Sequence, residues 1–174
     1  MDQPDKIFFA VKAAEAGRRR ACEAARATLP VSVPANFQRE RVIHATIVLA
    51  GLSDDSRVTP TALEMAALVR AARFTLVFDT LVGFGGPKGV LALTCSTEPP
   101  EWAILRTQLS QIPRRLKTAI VGGTTPHLTL AYGCPPTVPI PLAEPVAWSA
   151  DEFLLIRSLH GKAEHEELGC WALR

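Results

Sequence analysis

Two tetrads of the form His-x-Thr-x, His44-Ala45-Thr46-Ile47 and His127-Leu128-Thr129-Leu130, each open an apolar run of strand character. In a strand, residues i and i+2 point to the same face. His44 and Thr46 therefore share a face, as do His127 and Thr129. Ala45, Ile47, Leu128 and Leu130 turn the other way, into packing. Each strand thus asks for a core on one side and for water or a ligand on the other. A chain with one such strand in each half is driven toward sheets that line a central cleft.

Imidazole moves protons near neutral pH, and a threonine hydroxyl donates a hydrogen bond to an anionic oxygen. Two of each around one point suit in-line phosphoryl chemistry without a metal. One neutral histidine takes a proton from water, and the other, protonated, gives one to the leaving oxygen. The threonines hold the non-bridging oxygens. General acid and general base groups contribute about 10²–10⁴-fold each, and donors aimed at developing charge add to that. The plain alternative is a pair of satisfied core or surface histidines.

Ile7 to Val11 is a buried strand, and a helix runs from about Ala13 to Leu29, ended by Pro30 and Pro34. Val42 to Leu49 is a strand. Thr59-Pro60 caps a helix over Thr61 to Arg73. Phe74 to Gly83 and Val90 to Cys95 are strands joined by the Gly85-to-Gly89 hairpin, in which Lys88 is a candidate backbone contact. A helix starts at Pro99-Pro100, with Trp102, Leu105, Leu109, Ile112 and Leu116 on its apolar face, and Pro113 ends or kinks it. Gly122-Gly123 leads into the strand from His127 to Tyr132. The five prolines between Pro135 and Pro145 mark a loop or extended connector. Trp148 to Arg157 and Cys170 to Leu173 are the last strands, around a polar loop at Gly161. This is an α+β pattern. A helix, a turn-rich loop and a His-x-Thr strand recur once in each half, so 1–174 reads as one domain of two pseudo-twofold lobes.

At 174 residues, 48% hydrophobic and 21% charged, the chain can bury a real core. Its net charge of +2 does not demand a nucleic-acid partner. Arg18-Arg19-Arg20 and Arg114-Arg115 with Lys117 read as solvated faces that would attract phosphate only if they lay near the site. The cysteines, Cys22, Cys95, Cys134 and Cys170, form no Cys-x-x-Cys pair and read as small buried residues of a reducing compartment. There is no apolar signal core at the start and no run of membrane-spanning length. The expectation is a cytoplasmic monomer with no membrane partner.

At the two tetrads the sequence resembles the two-histidine (2H) phosphoesterase superfamily, and within it the 2′-5′ RNA ligase-like branch of RNA 2′,3′-cyclic phosphodiesterases. Ile7-Phe8-Phe9-Ala10 is similar to that family's opening strand. Phe153 to Ser158, with Gly161, Leu168 and Trp171-Ala172-Leu173, is similar to its closing pattern. The resemblance implies a bilobal α+β fold, with two antiparallel sheets around a central cleft and helices outside, and no cofactor. It implies hydrolysis of RNA ends or nucleotides bearing a 2′,3′-cyclic phosphate to 2′-phosphomonoesters, with His44 as proton donor, His127 as proton acceptor, and Thr46 and Thr129 on the phosphate. Three departures stand out. Ala131, Tyr132 and Gly133 follow the second tetrad where relatives often carry an arginine. His165 stands where a tyrosine is common, and Ala45 where a larger residue is common.

Tyr132 and Phe84 are then candidates to stack on a base, and Arg157 is a candidate phosphate ligand; core packing is the alternative for both aromatics. His160 and His165 read as solvated loop residues. A metal reading of those two with Glu164 lacks a helix to align them. Three other functions stay open: a non-catalytic nucleotide- or RNA-binding module, a phosphodiesterase for a small cyclic nucleotide, and a ligase running the reverse step.

Overall fold

The structure is a computed structural model that describes residues 3–30, 33, 35–85, 89–118 and 125–174. The expectations placed on Lys88 and on Gly122-Gly123 fall outside those residues. The elements run β1 (Lys6–Val11), α1 (Glu15–Thr28), β2 (Asn36–Phe37), a 3₁₀ turn (Glu40–Val42), β3 (Ala45–Leu52), α2 (Val58–Ala66), β4 (Phe74–Phe84), β5 (Val90–Thr94), α3 (Pro100–Leu109), α4 (Gln111–Leu116), β6 (His127–Tyr132), β7 (Ile140–Ala150), β8 (Glu152–Leu159) and β9 (Glu164–Ala172).

The strands pair antiparallel in the order β7-β4-β5-β6-β3-β1-β8-β9, with β2 against β6. The fold is α+β, as the alternation of runs implies. The sheet falls into two four-stranded halves, β7-β4-β5-β6 and β3-β1-β8-β9. They meet at one register pair, Ala45↔Leu128, so hydrogen bonding runs on from one half into the other. β7 is an outer strand of one half and β8 lies in the far half, yet a single residue, Asp151, joins them. The chain crosses from one half to the other at this residue, and both halves contribute side chains to one core.

That core includes Phe9, Ile47, Phe78, Leu93, Trp102 and Leu128, each 2% exposed or less. Helix α1 presents Ala21, Cys22 and Ala25 to it, and these small side chains let the helix lie close against β7, where Trp148 Nε1 donates to Gly17 O at 3.3 Å. The opposite face of the β3-β1-β8-β9 half carries a second, smaller apolar cluster of Phe8, Ala10, Leu154 and Ile156, with Leu49 against it. β1 is therefore buried on both faces, which its unbroken apolar run had signalled.

Several expectations need correction. Helix α2 starts before Thr59-Pro60, where Asp55 accepts from Arg57 N–H, and it stops at Ala66 rather than Arg73. The Gln108 side chain holds both Arg70 N–H and Arg70 O, which takes that backbone out of any helix. Pro113 lacks the N–H that Leu109 O would accept, and its ring crowds that carbonyl; the helix accordingly breaks at Ser110 and restarts as α4 with the same apolar face. The stretch 140–150 is a strand despite Pro141 and Pro145, because β7 has a partner on one side only and the residues between Phe78↔Val146 and Thr80↔Pro141 bulge out of register. The expected strand from Trp148 to Arg157 is two strands. Cys170 is exposed, unlike the other three cysteines, with Sγ 3.1 Å from Glu152 Oε2. No helix among the described residues is long and apolar enough to cross a membrane.

Candidate active site

Ala45 and Leu128 are both fully buried and face the core. Alternation then sends their neighbours to the other face. Ala45 and Leu128 are each flanked by the His and Thr of their own tetrad, so this antiparallel pair brings His44, Thr46, His127 and Thr129 to neighbouring positions. One register pair thus gathers two imidazoles and two hydroxyls on the cleft side of the sheet. All four residues are half-buried. The strands share no other register pair, so they splay apart on either side of this point.

Both histidines are tethered alike. His44 Nδ1 lies 2.7 Å from Val42 O, and His127 Nδ1 lies 3.1 Å from Thr125 O. A carbonyl only accepts, so in each ring Nδ1 carries the proton and donates it. Nε2 is left for chemistry. Each ring also rests on a phenylalanine. Phe8 stacks on His44 with centroids 4.7 Å apart and planes at 25°. Phe84 stands edge-on to His127 at 5.8 Å. A tether and an aromatic neighbour thus occur at both histidines.

Burial pushes the His44 pKa down to about 4. The Val42 carbonyl opposes that shift, while His165, His127 and Lys12 reinforce it. His44 is thus neutral at pH 7 in the free protein. His127 is among the groups acting on His44, so the two tetrads lie within electrostatic reach.

The remaining candidates divide. Phe84 is at the site, against His127, and is 40% exposed. Tyr132 is exposed at the far end of β6, paired with Asn36 and Val90, and makes no ring contact with either histidine. Arg157 is placed away from the cleft. It pairs with Ile7 on the core-side face of β1, and its Nη1 bonds Glu166 Oε2 at 3.1 Å. The Arg18–Arg20 run lies on α1, where Arg19 pairs with Glu15 and Arg20 with Glu144.

Three residues join the site that sequence reasoning did not place there. Phe8 is hidden in an apolar run that reads as plain core. Lys12 extends the cleft face of β1 past Ala10, and its Nζ sits 3.1 Å from Glu167 Oε1. His165 is the clearest correction. It lies in β9, not in a solvated loop, and its ring is edge-on to His44 at 5.0 Å and to Phe8 at 5.8 Å. His160, by contrast, is exposed at the hairpin, with its backbone N–H on Asp5 Oδ1. Among the described residues, no group of three or more His, Cys, Asp or Glu side chains is placed to hold a metal ion.

Comparison with known proteins agrees with the fold. No curated protein matches the sequence. Among solved structures, the chain is similar to E. coli LigT in apo form, at 21% identity and a TM-score of 0.80 over 99% of both chains. It is similar to a phosphoesterase, at 22% identity and a TM-score of 0.80 over 98% of this chain and 99% of the other. It is also similar to a protein of Thermus thermophilus, TT0787, at 23% identity and a TM-score of 0.76 over 97% of this chain and 98% of the other. At these identities the likeness establishes the fold. The family model for the 2′-5′ RNA ligase superfamily matches residues 13–162, a span that contains both tetrads. The chain therefore belongs to the 2′-5′ RNA ligase superfamily of two-histidine phosphoesterases.

Proposed function

We propose that this protein is a metal-independent RNA 2′,3′-cyclic phosphodiesterase that yields 2′-phosphomonoester ends. The observation that carries the reading is the Ala45↔Leu128 register, which aims two Nδ1-tethered imidazoles and two threonines into one cleft. Family membership supports a phosphoesterase. E. coli LigT, a fold relative, has been crystallised with 3′-AMP and with phosphate, which supports a nucleotide-phosphate ligand.

In this reading Thr46 and Thr129 donate to the non-bridging oxygens. His127 Nε2 takes a proton from a water that attacks phosphorus. The P–O3′ bond breaks, and His44 Nε2–H protonates the departing 3′-oxygen. The P–O2′ bond is kept, so one water is consumed and the product carries a 2′-phosphate and a 3′-hydroxyl. The proton on His44 has to be acquired. An anionic phosphodiester against a buried imidazole favours its charged form, so binding of substrate is coupled to proton uptake at His44. Phe84, exposed beside His127, is positioned to take a base.

The test is incubation with 2′,3′-cyclic nucleotides and with cyclic-phosphate-ended RNA, in the presence of a chelator, with product regiochemistry read out. A 2′-phosphate, formed faster on RNA ends than on mononucleotides, is expected. Binding of 2′-phosphorylated nucleotide with no turnover of any cyclic substrate would mean a binding module on the same fold.

A further inference from the structure

Nothing in the proposed reaction uses His165, yet this side chain is built into the cleft wall. It projects from the same face of β9 as Glu167, the partner of Lys12. It touches both the His44 ring and the Phe8 ring that supports it. Its Nδ1 is buried and has no hydrogen-bond partner. A buried N–H without a partner is rarer, and costs more, than a buried lone pair without one. The proton therefore belongs on Nε2, at the other edge of a half-buried ring. Burial pushes the His165 pKa down to about 4, with Lys12 reinforcing and Glu167 opposing the shift, so the ring stays neutral at pH 7. It also stands beside the cleft of a chain whose second tetrad is followed by Ala131, Tyr132 and Gly133, with no arginine to meet a phosphate.

We infer that His165 is a substrate-contacting residue of this site, presenting Nε2–H to a phosphoryl oxygen of the ligand next to His44. It supplies a neutral donor on the His44 side of the cleft. The inference rests on the phosphodiesterase reading for its substrate, but it also makes a claim about phosphate binding that stands apart from turnover.

His165→Phe keeps a ring against His44 and removes the donor; His165→Gln restores a donor without the ring. Each would be compared with the wild type for thermal melting, for KM and kcat on 2′,3′-cyclic AMP, and for the Kd of inorganic phosphate. The expected result for His165→Phe is about a tenfold rise in KM and in phosphate Kd, the loss of one hydrogen bond to a charged group. His165→Gln should recover most of it. Unchanged KM and phosphate Kd in His165→Phe would overturn the inference, and so would a loss confined to kcat, which would mean that His165 acts only through His44. If His165→Phe does not fold, ring ¹⁵N spectra of the wild type decide. His165 Nε2 should shift on phosphate addition, and an unmoved signal overturns the contact. A wild type that binds phosphate but turns over no cyclic ester would defeat the phosphodiesterase reading while leaving the phosphate measurements to judge His165.

Discussion

Ala45 and Leu128 face each other across the seam of the sheet, and each directly follows a cleft histidine. Their packing on the core side sets the spacing of the imidazoles on the other. Leu128 is fully buried, so Leu128→Ala should cost about 2–5 kcal/mol of stability through lost transfer energy and a cavity. Chemical denaturation measures this. A loss under about 1 kcal/mol, the range of ordinary surface changes, would mean that the seam is not tightly packed.

Stability should depend on pH through His44 and His165. Both are held near pKa 4 in the folded protein, against an ordinary value of 6.5. Between those values the unfolded chain binds protons that the folded chain refuses. Stability is therefore full above about pH 6.5 and falls as the pH drops toward 4, by at most about 1.4 kcal/mol per pH unit for each histidine. Urea melts across that window should show the slope, and His165→Phe should flatten it. An equal slope in that variant would contradict the burial of His165.

The two tethers specify tautomers. Ring ¹⁵N shifts at about pH 8.5, about two units above the ordinary histidine value, should show Nδ1–H on both His44 and His127. His44 should remain neutral down to about pH 4 in the absence of ligand. Addition of phosphate should raise the His44 pKa. A His44 that titrates near its ordinary value without ligand would remove the coupling between substrate binding and proton uptake.

Much of this site was legible because its signal is local. The alternation in His44-Ala45-Thr46-Ile47 and His127-Leu128-Thr129-Leu130 dictates faces without knowledge of the partners. What escaped depends on contacts far along the chain. Phe8 reads as core until His44 is seen lying on it. His165 reads as a loop residue, because only the β8–β9 pairing carries it to the cleft. The end of α2 is decided by Gln108 on another helix, and the prolines of β7 are tolerated only because β4 is its one partner. The base stacking expected of Tyr132 rests on its place after the tetrad, whereas the strand carries it away from the rings.

Arg157 makes a negative control. Its guanidinium is engaged by Glu166 on the side of the sheet away from the histidines. Arg157→Ala should leave KM unchanged and cost no more than about 1 kcal/mol of stability, as for a partly exposed ion pair. A large rise in KM would put Arg157 back among the phosphate ligands.

The proposed reaction needs a matched acid and base in one cleft. The direct measurement is kcat/KM on a 2′,3′-cyclic phosphate, with chelator present, for the wild type, His44→Ala and His127→Ala. Each variant should lose about 10²–10⁴-fold in rate while remaining folded. Full activity in either variant would exclude His44 and His127 as that acid and base.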